Sequence, residues 1–408
     1  MNTNDYVALE DKYLAKNYKS LPVVFEKSDG VWMWDSEGNK YLDFVSAYSA
    51  TSFGHLNARI KKALLNQLER TDVQARAFRH DKLGAFGEAI CKITGLDQML
   101  PMNTGAEAVE TAIKAARRWG NMAKKIPDGK QHIIVCQNNF HGRTSTIVGF
   151  SSDAEYRRGF GPFDGGFTLI PFGDAAALEK AITPNTCAFL VEPIQGEGGI
   201  HVPPKGYLQQ AQDICRKHNV LLILDEIQTG MARTGKNFAF QHEIDKPDGL
   251  VLGKALGGGI YPVSAFLARK DVMDVMDPGS HGSTFGGNAI ASALAVEAIN
   301  IMKEEKLAER SAETGEYLMK KLGALNSPLI QDVRGRGLLI GLEINTKVVS
   351  TDEVCKRLLK KGLISKDTHG TVVRFSPPLT IEKKEIDWAV ERVTETLREI
   401  EAEKVTAG

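Results

Sequence analysis

The sequence predicts an α/β protein: a large domain built on a mostly parallel central sheet, joined to a smaller α+β domain. Three observations carry this. Short apolar runs alternate with helical stretches from about residue 100 to residue 268. At 408 residues the chain is long for one domain. Beyond a long helix near 288–303 the pattern changes to a mixture of extended runs and charged helices.

The runs HIIVCQ (132–137), CAFLVEP (187–193), VLLILDE (220–226), GLVLG (249–253) and VSAFLA (263–268) are continuously apolar, as strands covered on both faces are. Residues 105–121 read as a helix with Ala106, Val109, Ile113 and Ala116 on one face, and 206–218 as another. Upstream, VWMWDSEGNKYLDF (31–44) reads as a hairpin turning at SEGN. Downstream, VRGRGLLIGLEI (333–344), a helix near 352–362 and TVVRFSP (371–377) form the smaller unit. A final helix runs from Lys383 to about Lys404 along one apolar stripe. The expected division is 1–45 belonging with the small domain, 46–290 as the large cofactor-binding domain and 291–408 as the C-terminal small domain.

Composition narrows the functional classes. Hydrophobic residues at 42% and charged residues at 25% suit a soluble globular protein with a sizeable core. Lys+Arg and Asp+Glu both number 51, so no global field recruits nucleic acid or an acidic membrane, and anionic substrates must be held by individually placed cations. Cys91, Cys136, Cys187, Cys215 and Cys355 show no CxxC pairing and no metal-like spacing with histidine. They read as buried thiols in a reducing compartment, with no metal expected. The N-terminal stretch MNTNDYVALEDKYLAKNY has no secretory apolar core and carries acids early, and no stretch reaches bilayer length; the expectation is a cytoplasmic protein.

Asp225 ends the apolar run of LLILDEIQTG, where a carboxylate is costly unless paired. A helix cap or a structural ion pair would account for it as well as chemistry would. In LVLGKALGGG, Lys254 follows another apolar run and precedes a glycine run. A desolvated lysine loses its proton as Schiff-base chemistry requires, although a solvated lysine at a strand end looks the same. Together the two match pyridoxal 5'-phosphate (PLP), which needs a lysine for its aldehyde and an acid for its pyridine nitrogen. MNTGAEAVETAIKAA adds a phosphate cradle, because Thr104, Gly105 and Ala106 open a helix whose free N–H groups favour an anion. Any capped helix would show similar small residues.

With these in place, the chain resembles the fold-type I, class III PLP-dependent aminotransferases over essentially its whole length. The resemblance rests on NTGAEA, NFHGRT, VEPIQGEGG, DEIQTGMARTG, LGKALGGGIYPVSA, GSTFGGN, VRGRGLLIG and VVRFSPP, in family order. It implies that Lys254 carries the cofactor and shuttles the proton, that Asp225 pairs with the pyridinium nitrogen and that Gln228 hydrogen-bonds the ring hydroxyl. It further implies that Phe140 stacks on the ring, and that Gly105 and Ala106 hold the phosphate. Thr284 would reach the phosphate of a neighbouring subunit, implying a homodimer with shared active sites. From the residues alone, Phe140 and Thr284 fit a core and a turn position equally well.

Within this family the substrate is read from less common positions. Tyr48, in SAYSATSFGH, stands where ornithine-type members carry an aromatic and acetylornithine-type members a small or aliphatic residue. Tyr18, in KNYKSLP, matches the position that holds the α-carboxylate of ornithine. Arg143 offers a guanidinium fork for that carboxylate or for the distal one of glutamate, and both types share it. His141 is a departure, since some relatives place tryptophan beside the stacking phenylalanine. By resemblance, Arg374 binds the α-carboxylate of glutamate or 2-oxoglutarate, and Glu197 neutralises it when ornithine occupies the site; a structural ion pair is the alternative. The implied reaction is a ping-pong transfer of the δ-amino group of ornithine to 2-oxoglutarate, a step of arginine metabolism and proline biosynthesis. Acetylornithine and 4-aminobutyrate are the alternative donors.

Overall fold

A computed structural model describes residues 2–407 of the chain. Its centre is a seven-stranded sheet. Across it the strands run Gln98–Met102, Ser264–Ala268, Gly249–Leu252, Leu221–Asp225, Thr186–Val191, His132–Cys136 and Phe167–Ile170. The pairings from Gly249–Leu252 to Phe167–Ile170 are all parallel. Only Ser264–Ala268 runs against both its neighbours.

The five apolar runs are five of these strands, and their character has a direct cause. Successive side chains point to opposite faces, and both faces are covered. Ile133, Val135, Leu221 and Ile223 pack on one side with Ala108, Ala112 and Trp119 of the helix Gly105–Met122. Ile134, Leu222, Leu224 and Leu250 pack on the other with Ala211 of Tyr207–Lys217 and Leu294 of Ala289–Glu304. The two strands without a clear signal, Gln98–Met102 and Phe167–Ile170, are the sheet edges. Exposure there permits the polar Gln98, and the missing ladder partner on one side permits the buried Pro101, which has no N–H to donate.

The hairpin expected at 31–44 forms from Trp32–Asp35 and Lys40–Asp43. The Asp35 carboxylate organises its turn, accepting from the amides of Glu37 and Asn39 and from the Tyr41 hydroxyl. Phe25–Asp29 extends this sheet on one side, and Leu363–Ile364 pairs parallel to Lys40–Asp43 on the other, tying the two ends of the chain together. The segment 333–344 reverses at Gly337 (φ +57°) into the antiparallel strands Ile330–Arg336 and Leu339–Ile344. Val372–Phe375 and Lys366–Thr368 complete that sheet. The last helix, Lys383–Ala407, buries Ile386, Ala389, Val393, Leu397 and Ile400 at helical spacing. The five cysteines are free thiols, four of them buried and Cys91 half-buried. Among the described residues no helix is long and apolar enough to cross a membrane.

One junction packs backbone on backbone. A Cβ on Gly315, in the helix Leu307–Gly323, would lie 2.1 Å from the Gly337 carbonyl oxygen, and one on Gly337 would lie 2.5 Å from the backbone of Thr234. Helix, hairpin turn and the loop after Asp225 are therefore stacked with no side chain between them. Gly315→Ala is expected to lower the thermal unfolding midpoint, at a cost of about 1–3 kcal/mol for forced overpacking. An unchanged midpoint in a calorimetric scan would show that this contact is slack.

Candidate active site

The informative residues gather beyond the carboxyl ends of the parallel strands, where open α/β sheets bind ligands. They line a cavity of about 200 Å³. Asp225 is the last residue of its strand, Glu192 follows Thr186–Val191, Phe140 and His141 follow His132–Cys136, and Lys254 follows Gly249–Leu252. Gly105 and Ala106 close the cavity from the helix Gly105–Met122.

At that helix start Thr104 caps the amide of Glu107, whose carboxylate answers to the Thr104 amide. The amides of Gly105 and Ala106 stand ahead of the first intrahelical bond, as the leading donors of a helix do. An anion seated there would meet both the donors and the helix dipole. Gly105 approaches Ile227 so closely that a Cβ would lie 2.9 Å from its Cδ1.

Asp225 is buried and held from two sides. Its Oδ2 lies 2.6 Å from His141 Nδ1, and its Oδ1 accepts from the amide of Ile227 at 3.0 Å. Burial opposes charging His141, yet the hydrogen bond to Asp225 and the charges of Asp225 and Glu192 outweigh it and raise the imidazole above its ordinary range. Glu192 accepts from the amides of Phe140 and Gly196, and burial pushes it up to about 7 against the pull of His141. Neither His141 nor Glu192 was singled out as a site residue from the sequence. Glu192 carried the same signal as Asp225, an acid ending an apolar run, whereas His141 stood out only as a departure from relatives.

Lys254 opens a short 3-10 turn with φ +47°, a left-handed conformation that costs a non-glycine residue about 1–3 kcal/mol and is found mostly at functional sites. Desolvation holds its ammonium below the usual lysine range, with Glu197 working the other way and Arg374 reinforcing the shift. Burial of this kind favours the neutral amine over the ammonium.

Arg374, on Val372–Phe375, is fully buried, and its Nη1 donates to Glu197. Its Nε and Nη2 meet no acceptor among the described residues. The guanidinium sits 4.9 Å from the Tyr48 ring centroid. Burial alone would raise Glu197, but Arg374 and Lys254 bring it below the usual carboxylate range. Gln228 Nε2 donates to Glu197 at 3.2 Å and reaches the Tyr48 carbonyl at 3.5 Å. It lies in a turn rather than a helix, and it fits because residue 196 is glycine: a Cβ there would fall 1.4 Å from Gln228 Oε1.

Tyr48 sits in a feature with no sequence signal. Ser46, Ala47, Tyr48 and Ser49 are four consecutive non-glycine residues with φ of 48°, 45°, 60° and 77°. Such a left-handed turn costs about 1–2 kcal/mol per residue. Asp43 Oδ1 anchors its start through the amides of Val45 and Ser46, and Ser52 Oγ holds its end by donating to the Ser49 carbonyl.

Three of the expected residues lie apart from this cavity. Tyr18 is 77% exposed and lines a separate groove formed by the N-terminal segment. Thr284 is exposed, while its neighbour Ser283 bonds Asn103 near the start of the Gly105–Met122 helix. Arg143 is exposed and stacks on Tyr156, 3.7 Å from its ring centroid, with Phe140 at 5.6 Å. Tyr156 and Phe140 also line a recess of about 350 Å³ that shares Phe140 and Glu197 with the Lys254 cavity.

A family model for class-III aminotransferases matches residues 13–397. The chain belongs to the class-III aminotransferases. Its sequence is 53% identical to an ornithine aminotransferase of Brevibacillus brevis over 395 residues, covering 97% of this chain and 98% of that one. Among solved structures, the ornithine aminotransferase of Toxoplasma gondii superimposes with a TM-score of 0.97 at 44% identity, covering 99% of this chain and 96% of that one. In another structure of the Toxoplasma protein PLP partly occupies the active site. An acetylornithine aminotransferase of Elizabethkingia anophelis superimposes with a TM-score of 0.90 at 47% identity, covering 98% and 99% of the two chains.

For a class-III aminotransferase, a neutral-capable lysine, an anchored buried carboxylate and a helix N-terminus around one cavity fit PLP. His141→Phe would keep a ring but remove the side-chain partner of Asp225, leaving a buried carboxylate with one backbone donor. PLP affinity is expected to fall roughly tenfold or more. Titration of the apoenzyme with PLP measures this, and an unaltered dissociation constant would deny His141 that part.

Proposed function

We propose that this class-III aminotransferase moves the δ-amino group of L-ornithine to 2-oxoglutarate. The products are glutamate and glutamate 5-semialdehyde, which cyclises to pyrroline-5-carboxylate. The observation that carries the reading is Arg374, buried beside Lys254 with one nitrogen on Glu197 and two without acceptors. A guanidinium with two free donors suits a carboxylate. A movable acidic partner lets the same site take a substrate end that brings no carboxylate of its own.

PLP, when bound, supplies an electrophilic aldehyde and an electron-withdrawing ring. Lys254 would hold the group through its aldehyde and is the amine placed to move the proton at the carbon bearing the transferred nitrogen. Asp225, fixed by His141 and the Ile227 amide, would keep the ring nitrogen protonated. Gln228 would donate to the ring hydroxyl, Phe140 would cover the ring face, and the amides of Gly105 and Ala106 would hold the phosphate. Arg374 binds the α-carboxylate of 2-oxoglutarate and glutamate, and Glu197 closes on Arg374 while ornithine reacts. Tyr48 walls the donor side of Arg374, and Arg143 and Tyr18 serve the α-carboxylate of ornithine.

Thr284 is read as serving a second copy of the chain, because it is exposed and absent from its own cavity wall; this makes the functional unit a homodimer. We read the chain as 1–45 and 291–408 flanking 46–290, a division supported by the strand pairing of Lys40–Asp43 with Leu363–Ile364. The cytoplasm is the expected compartment. Acetylornithine is the second reading, favoured by the Elizabethkingia anophelis neighbour; Tyr48 and the similarity to ornithine aminotransferases over nearly the whole chain favour ornithine.

Two experiments test these assignments. Holoenzyme mixed with a single amine and no acceptor should lose its cofactor absorbance about tenfold faster with ornithine than with N-acetylornithine or 4-aminobutyrate, a difference of about 1.4 kcal/mol. Faster conversion by N-acetylornithine would overturn the choice of donor. Borohydride reduction followed by peptide mapping should place the cofactor label on Lys254 and nowhere in Lys254→Ala. A label on another lysine would remove Lys254 from its role.

A further inference from the structure

Arg233 is the other fully buried arginine of the chain, and it has no ion-pair partner among the described residues. All its hydrogen-bond acceptors are neutral. Nη1 donates to the carbonyls of Leu338 at 3.0 Å and Pro377 at 2.6 Å, and Nη2 donates to Ser52 Oγ at 2.7 Å. Its own carbonyl accepts from the Leu338 amide at 3.1 Å and from Ser311 Oγ at 2.8 Å. Burial brings the guanidinium down to about 9, with Asp43 acting weakly against it. A cation buried among neutral oxygens is an expensive way to hold a fold together.

The three acceptors are informative because of where their segments lead. Pro377 lies three residues beyond Arg374, on the same stretch of chain as its strand. Ser52 passes the contact on by donating to the Ser49 carbonyl, the end of the left-handed turn that carries Tyr48. Leu338 sits in the hairpin turn stacked beneath the helix at Gly315. Arg233 itself lies in the loop that leaves Asp225 and carries Gln228. One planar fork thus spans the loop of Gln228, the segment of Arg374 and the turn of Tyr48. Other bonds join the last two: the Ser376 amide to the Phe44 carbonyl at 2.8 Å, and the Leu379 amide to the Ser52 carbonyl at 2.8 Å.

We infer that Arg233 is a positioning residue for substrate recognition, its three-way hydrogen bonding setting how the Arg374 guanidinium and the Tyr48 ring, packed 4.9 Å apart, are presented to the substrate. The inference rests on the proposed aminotransferase reading for the roles of Arg374 and Tyr48. A lysine could keep the charge but not the fork, since its ammonium is a point donor on a flexible stem. A dicarboxylate held by Arg374 would feel this displacement even when no reaction takes place.

The test compares wild-type holoenzyme with Arg233→Lys. The Kd for glutarate, an unreactive five-carbon dicarboxylate, is read by calorimetry, and KM and kcat are read per cofactor-bearing site. Arg233→Lys is expected to weaken glutarate binding roughly tenfold, about the worth of one hydrogen bond to a charged group. KM for 2-oxoglutarate should rise by a similar factor while kcat per site changes much less. A merely structural arginine would lower the unfolding temperature and leave Kd and KM per site unaltered, and that result would overturn the inference. If Arg233→Lys does not fold, Ser52→Ala decides. It removes the link to the Tyr48 turn alone, and a severalfold rise in the KM for ornithine supports the inference whereas an unchanged KM overturns it. Wild-type enzyme that binds no glutarate and is not converted by ornithine would instead overturn the functional reading, so the two failures are distinct.

Discussion

Keeping several ionisable groups away from water in one small cavity is the constraint on which this molecule is organised. Lys254, Asp225, Glu192, Glu197, Arg374 and His141 all sit within or against it. Any one of them alone would cost several kcal/mol to desolvate. They persist because each is answered: Asp225 by His141 and a backbone amide, Glu192 by two backbone amides, Glu197 by Arg374 and Gln228. The set approaches neutrality only as a set. Arg374 departs from this pattern with two nitrogens lacking acceptors, the feature on which the proposed carboxylate binding rests.

The backbone is also held away from its preferred conformations around this cavity. The left-handed turn Ser46–Ser49 and the positive φ of Lys254 place several kcal/mol of strain beside the site. The surrounding packing offsets it. The parallel sheet is buried on both faces, and at Gly196 and Gly315 backbone approaches its neighbours more closely than any side chain would allow. The parallel strands lead into Asp225, Glu192 and Lys254, while Tyr48 and Arg374 come from segments cross-linked to one another.

This division has a bearing on specificity. An ornithine aminotransferase and an acetylornithine aminotransferase both share this fold at similar identity, so the architecture cannot by itself choose a donor. What can choose is the small set of residues on the substrate side, and their separation is a property of loops and turns rather than of the sheet. On the proposed reading, Tyr48 packed against Arg374 is the pairing that would set the choice of donor.

The sequence by itself determined the elements whose signal is local and repeated. A strand buried on both faces has no option but to be continuously apolar, so the five inner strands were legible, as were the helices with a single apolar face. Lys254 and Asp225 were legible as a pair, because a lysine and an acid ending apolar runs match what one cofactor needs and stand in motifs that follow the family order, whereas either charge alone has an ordinary structural explanation. The edge strands Gln98–Met102 and Phe167–Ile170 were not, since partial burial relaxes the pattern that would reveal them. Only the tertiary structure decided what depends on partners far apart in the chain. It set His141 on Asp225, Gln228 against Gly196 and Arg233 across three segments, and it left Tyr18 in the open. The reason is physical: a hydrogen bond or a steric gap is a property of two surfaces brought together, and a linear pattern records only one of them.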